Sequence, residues 1–302
     1  MKYILLDTNL YLDLVSNRSV SINKKCKDIL LKLLQHDNCK LVIPEVVIHE
    51  FVRNVDSILS IAKDNLGSTR ELLKSCYWVE YSSYPINTYE QEIDGIKKYL
   101  KKLKVLLVNE FDDIENKMKQ WFRVNIFKNA NSITVRTNDL LTKKVMMRRM
   151  HKLPPFHKKQ TEFGDGLILE TILNIKELIP EFDKRDKLYF ITRNYSDFCD
   201  SDNKEKLHNR IIDSISLAGL NDNIVYSPYF YKTVKDVFGI EIAEVEKLEE
   251  EMARREEEYL SDLAAYEDYV TDKLFDYPHN EYIINNMINK EKFGKMQKSH
   301  HS

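Results

Sequence analysis

The chain has 302 residues, 43% hydrophobic and 31% charged, enough to bury a sizeable core in one or two domains and too apolar for a disordered chain. Its formal net charge of −2 argues against a wholly basic nucleic-acid binder, although the sum conceals strong local segregation of charge. No run of about 18 apolar residues offers a membrane span, and the N-terminus opens on a strand ending in an acid, not on a signal peptide, so a cytoplasmic location is expected.

Tyr3-Ile4-Leu5-Leu6 reads as a short buried strand closed by Asp7, and Thr8-Asn9 leads into an apolar stretch over residues 10–15. Leu41-Val42-Ile43 reads as a second strand; Pro44 then starts a helix carrying Val46, Val47, Glu50 and Phe51 at helical spacing. From about residue 65 the texture turns helical and rich in Leu, Ile, Lys and Glu, which predicts a large helical insertion over about 70–155. Within it, residues 77–81 read as a strand and residues 88–150 as two or three helices anchored by Trp121, Phe122, Val124 and Phe127. Such an insertion is suited to act as a lid or clamp. The Pro154-Pro155 pair makes a stiff loop, and Phe163-Gly164-Asp165-Gly166 reads as a close turn before the apolar run over 167–175. Strand signals return at residues 188–191, followed by Thr192-Arg193-Asn194-Tyr195-Ser196-Asp197-Phe198, and at Ile224-Val225-Tyr226. Beyond Phe238-Gly239 an acidic, helix-prone segment carries an apolar stripe that would pack on its own domain, pair with another copy or receive a regulatory protein. The expected division is therefore an α/β domain over 1–238 and a helical extension over 239–302.

Asp7, Glu50, Asp165 and Asp197 each fall where a parallel α/β chain brings residues to the carboxyl edge of its sheet, the usual place for a functional crevice. Carboxylates crowded together repel and raise one another's pKa unless a divalent cation offsets the charge. Mg²⁺ or Mn²⁺ suits this set, because hard cations prefer oxygen ligands. Cys26, Cys39, Cys76 and Cys199 lack the CxxC spacing of a zinc site or a disulfide framework and read as free thiols. One ion would activate water or stabilise charge on a phosphodiester; two would do both at once. Taken singly, each acid has a plainer role: Asp7, Asp165 and Asp197 as turn formers or helix caps, Glu50 as a solvated or ion-paired helix residue. Their order, each at an element boundary, favours the metal site.

The series Leu5-Leu6-Asp7-Thr8-Asn9, then residues 43–50 ending in His49-Glu50, then Gly164-Asp165, then residues 190–198 ending in Asp197-Phe198, resembles a PIN domain. The resemblance implies a twisted parallel sheet flanked by helices, a metal-dependent ribonuclease activity, and Asp7, Glu50 and Asp165 as the family's first three acids. It covers residues 1–70 and 150–230, and Arg148-Arg149, Pro154-Pro155-Phe156 and Gly164-Asp165 are most similar to the longer PIN-like proteins grouped as DUF4935. Many PIN domains carry the fourth acid as Thr-x-Asp, which falls here on Asn194, so Asp197 is the expected fourth acid. Asn194 would then orient a water or ligate through its carbonyl, while Asn9 and Thr192 would hold carboxylate oxygens.

Two basic runs complete the reading. Lys97, Lys98, Lys101, Lys102 and Lys104 suit a solvated helix face; Lys143, Lys144, Arg148, Arg149, Lys152, Lys158 and Lys159 lead straight to Asp165 and suit a phosphate backbone. Phe156, His157 and Tyr195 are candidates for base stacking or for core packing. The expected function is endoribonuclease action on RNA, with a toxin or phage-defence role by resemblance. A structure-specific DNA nuclease and a catalytically inactive RNA- or protein-binding scaffold are the alternatives.

Overall fold

Short apolar runs buried on both faces form the centre of this protein. In the computed structural model β1 (Lys2–Leu6), β2 (Cys39–Pro44), β3 (Ser132–Val135), β4 (Lys187–Ile191) and β5 (Ile224–Ser227) pair in parallel, in the order β3-β2-β1-β4-β5. Ile4, Leu5, Leu41, Val42, Ile43 and Leu188 are wholly buried, as a parallel sheet with helices on both faces requires. The structure describes residues 1–15, 20–72, 85–157, 162–200 and 203–240, all within one unit, Met1–Ile242. The strand expected at 77–81 and the acidic segment from 241 onward lie outside the described residues.

From β1 the chain moves outward through β2 to β3, then returns to the far side of β1 with β4 and β5. Strand order therefore reverses between β1 and β4, where Leu6 pairs with Ile191. Loops leaving the carboxyl ends of two such strands part in opposite directions and open a crevice. Into it lead α1 (Thr8–Asp13) from β1, α3 (Glu45–Leu72) from β2, and α9 (Tyr195–Phe198) from β4. The other described helices are α2 (Val20–Leu34), α4 (Ile86–Asn109), α5 (Phe111–Phe122), α6 (Asp139–Met150), α7 (Phe163–Leu173), α8 (Ile175–Leu178), α10 (Asn209–Leu217) and α11 (Phe230–Phe238). No described helix is long and apolar enough to cross a membrane.

An aromatic cluster fixes the two helices that flank the crevice. Phe51 of α3 lies 4.4 Å from Phe122, and Tyr11 of α1 lies 5.8 Å from Phe127, between ring centroids. Tyr11 and Phe51 are wholly buried, so the neighbouring Asp7 and Glu50 stand on rigid backbone. One expected anchor moves. Val124 is 52% exposed and Ile126 is buried instead, because residues Arg123–Phe127 form a π-helical turn closed by Lys128 N–H donating to the Arg123 carbonyl. The wider turn rotates the register, which α-helical spacing does not anticipate.

The insertion is largely helical and also returns a strand. β3 pairs with β2, Leu41 opposite Ser132 and Val42 opposite Ile133. Asn131 sets it in place by donating to the Leu34 carbonyl at 2.7 Å and accepting from Lys40 at 2.7 Å. At four residues with only Val135 buried, its polar-apolar alternation is too short to stand out within a helical insertion.

Candidate active site

Asp7 is the first residue beyond β1 and the N-cap of α1. Thr8 N–H donates to its Oδ1 at 2.6 Å and Thr192 Oγ1 to its Oδ2 at 2.7 Å. The helix cap and the site acid are thus one residue, held by two donors and 3% exposed. The Thr8 hydroxyl turns the other way and donates to Glu50 Oε2 at 2.6 Å, linking α1 to α3.

Asp165 arrives from α7. It is the third residue of that helix, where backbone N–H groups favour a negative charge. Gly164 and Gly166 are helical, not part of a turn, and their function is close approach. A Cβ on Gly164 would meet Glu50 Oε1 at 2.0 Å, and one on Gly166 would meet Phe156 Cζ at 2.6 Å and Val145 Cγ1 at 2.7 Å. The missing side chains let α7 bring its carboxylate against α3. Asn194, on the loop after β4, donates from Nδ2 to Asp165 Oδ1 at 3.1 Å, and its N–H donates to Thr192 Oγ1 at 2.9 Å. Asp197 lies in the first turn of α9 beside it.

Burial raises the Asp7 carboxyl above the usual range; hydrogen bonds from Thr192 and Thr8 oppose this and the Asp197 charge adds to it. Glu50 is raised chiefly by burial, with Thr8 and, least, Arg53 opposing and Asp7 and Glu162 adding. Asp165 is pushed up to about 8, first by burial and then by Asp7, Asp197 and Glu50, with Asn194 opposing. The four acids share one electrostatic field. Among the described residues no three His, Cys, Asp or Glu side chains already form a cluster able to hold a metal ion. Both oxygens of Asp7 are engaged by Thr8 and Thr192, and one of Glu50 by Thr8. The oxygen-only donor set and its mutual repulsion nevertheless suit a hard divalent cation, which would relieve that repulsion.

Other expected residues fall in varied places. Asn9 is exposed, and its neighbour Thr8 makes the carboxylate contacts. The signal for Thr8 was present, since a hydroxyl directly after a strand-ending Asp sits in the first turn of the helix that Asp caps. Asn194 uses its amide N–H toward Asp165, and its carbonyl accepts from Ser196 Oγ at 2.9 Å, so the carbonyl faces Ser196 and not a ligand. Arg148, expected on a phosphate backbone, is buried. It donates to Glu170 Oε1 at 2.8 Å, to the Pro154 carbonyl at 3.0 Å and to Ser214 at 3.5 Å. A buried guanidinium must be paired, and the acid that pairs it, Glu170, sits inside an apolar run that gave no sign of it. Arg149 is exposed and lies 5.9 Å from the Phe156 ring centroid. Lys158 and Lys159 are outside the described residues. Phe156 is 6% exposed and packs in the core, and the His157 ring is 5.2 Å from that of His208.

Neither the curated proteins nor the solved structures compared with this chain gave a match. A family comparison did. PIN domains are generally metal-dependent nucleases, and with their sequence pattern matching residues 4–198, across the sheet from β1 to β4 and all four acids, this chain belongs to the PIN domain family.

Proposed function

We propose that the protein is a Mg²⁺- or Mn²⁺-dependent endoribonuclease in which Asp7, Glu50, Asp165 and Asp197 hold the ion. The observation that carries this is the shared field of the four acids, seen at Asp165, where the charges of Asp7, Asp197 and Glu50 add to burial and which protonation or a cation relieves. The ion, when bound, supplies an activated water and stabilises charge on the phosphodiester. The chain's own residues prepare for it. Thr8 ties Glu50 to the Asp7 carboxylate, Thr192 orients Asp7, and Asn194 orients Asp165. These four contacts hold the oxygens within one crevice, reducing the reorganisation that ion and substrate binding require.

Arg149, together with Lys158 and Lys159 outside the described residues, is our candidate for phosphate contacts beyond the crevice; Arg148 is not, because its guanidinium is already used. Within the family we place the chain nearest the longer DUF4935-type members, on Arg148-Arg149, Pro154-Pro155-Phe156 and Gly164-Asp165. A cytoplasmic toxin or phage-defence effector fits this reading. The segment from 239 onward is proposed as a contact for a second copy or a regulatory protein.

The test is cleavage of labelled single-stranded RNA, tRNA and flap DNA by the wild type and Asp165→Asn, with Mn²⁺ or EDTA. Metal-dependent cutting of RNA that the variant loses supports the proposal. Preference for flap DNA would transfer the assignment to a structure-specific DNA nuclease. A folded wild type that cuts nothing would favour a scaffold that binds RNA or protein.

A further inference from the structure

Beside the carboxylates, at the same edge of the sheet, stand residues of a different chemistry. β4 and β5 pair with Ile191 opposite Ser227. Tyr195 follows β4 at the start of α9, and Tyr229 follows β5 as the N-cap of α11. Both therefore leave the carboxyl edge that carries Asp7, which lies two strands from β5, about 10 Å at the usual strand spacing. Tyr229 is 42% exposed and Tyr195 is partly exposed. Each ring has an exposed lysine over it: Lys204 Nζ lies 5.3 Å from the Tyr195 centroid and Lys232 Nζ 5.7 Å from that of Tyr229.

We propose that Tyr195 and Tyr229, with Lys204 and Lys232, form a stacking site for the unpaired bases of a single nucleic-acid strand whose neighbouring phosphate lies over the acids. The inference rests on the nuclease reading above and adds to it the class of substrate. The strand's phosphates suit the two lysines by charge. A base stacked on tyrosine outweighs a solvent-exposed cation–π contact, so the incoming base displaces the ammonium group, which moves to the adjacent phosphate. The platform is supported from beneath. The Tyr226 hydroxyl lies 2.9 Å from Cys199 Sγ and donates to the Lys204 carbonyl at 3.0 Å, fixing the segment that carries Lys204. The Tyr229 hydroxyl donates to Glu205 Oε1 at 3.2 Å, which orients the ring and leaves its face for the base. An A-form duplex keeps its bases stacked inside and cannot use such a site; a single strand or a loop can.

The test uses the full chain in EDTA, so that binding is read without cleavage. Anisotropy of a short fluorescein-labelled oligouridylate and of an RNA duplex is measured with wild type, Tyr195→Leu, Tyr229→Leu and the two Tyr→Phe variants. Each leucine variant is expected to weaken single-strand binding by about tenfold, the phenylalanine variants to stay within about twofold, and duplex binding to be unchanged. Leucine variants that bind like wild type, equal losses with Phe and Leu, equal losses on the duplex, or no wild-type binding of the single strand would each overturn the stacking site. Wild-type cleavage of the same oligonucleotide with Mn²⁺ separates the two readings. Cleavage without any leucine effect defeats the stacking site alone, whereas tyrosine-dependent binding without cleavage defeats the nuclease reading alone.

Discussion

Replacing Asp165 by Asn is expected to stabilise the metal-free protein while abolishing metal-dependent cleavage. Unfolded, the carboxyl ionises near 3.8; folded, it keeps its proton up to about 8. Between those values unfolding releases a proton, so stability falls as pH rises through the window and levels off above it. At pH 7 the gap amounts to about three of the four units, or about 4 kcal/mol at 1.36 kcal/mol per unit. Asparagine keeps the shape and the acceptor for Asn194 but carries no charge to bury. It forfeits the favourable carboxylate at the start of α7, a loss of about 0.3–1 kcal/mol. Side-chain relaxation and water entry reduce the remainder, leaving a gain of about 1–3 kcal/mol in EDTA, or about 3–10 °C in Tm. With Mn²⁺ the order reverses, because binding to the folded wild type alone adds about 4.1 kcal/mol at about 1,000 times Kd. Thermal unfolding at pH 4.5, 7 and 9, with EDTA or Mn²⁺, checks this. A variant no more stable than wild type at pH 9 in EDTA, or a difference that does not shrink toward pH 4.5, refutes the buried-carboxylate argument.

Three further outcomes are expected. Gly164→Ala drives a methyl group onto the end of the Glu50 side chain, so the Glu50 carboxylate must swing out of its place; cleavage should drop about 100-fold with a stability loss of about 1 kcal/mol, and wild-type turnover by a folded Ala variant would show that Glu50 is not needed there. Arg148→Met leaves Glu170 buried without its partner and should cost about 3–5 kcal/mol by urea denaturation, most of it recovered in Arg148→Met/Glu170→Leu; a single variant as stable as wild type would dismiss the pair as a structural element. Asn194→Asp replaces the amide donor on Asp165 with a fifth negative charge, so apo-protein Tm at pH 8 should fall by several degrees and Mn²⁺ should restore more of it than in wild type; identical Tm values without metal would contradict the proposed role of Asn194.

The strands were legible for one physical reason: a strand buried on both faces is a short continuous apolar run. Asp7 stands out as the first residue after such a run, and Asp197 follows β4 by six residues. Gly164-Asp165-Gly166 reads in sequence as a close turn and is instead helical, because the small residues serve close approach to neighbours that the composition does not name. What stayed hidden depends on contacts distant in sequence. Arg148 sits in a basic run of which Lys143, Arg149 and Lys152 are exposed, and Glu170, 22 residues on, turns it inward. Val124 yields its place to Ile126 through one widened turn, and β3 is too short to carry a period of its own. The amide of Asn194 is the instructive case. Its Nδ2 donates to Asp165 Oδ1, an oxygen that accepts whether or not the other one carries a proton, and Ser196 donates to the amide carbonyl. An amide donor at this position lowers the Asp165 pKa, whereas an acid there would add to the repulsion from Asp7, Asp197 and Glu50.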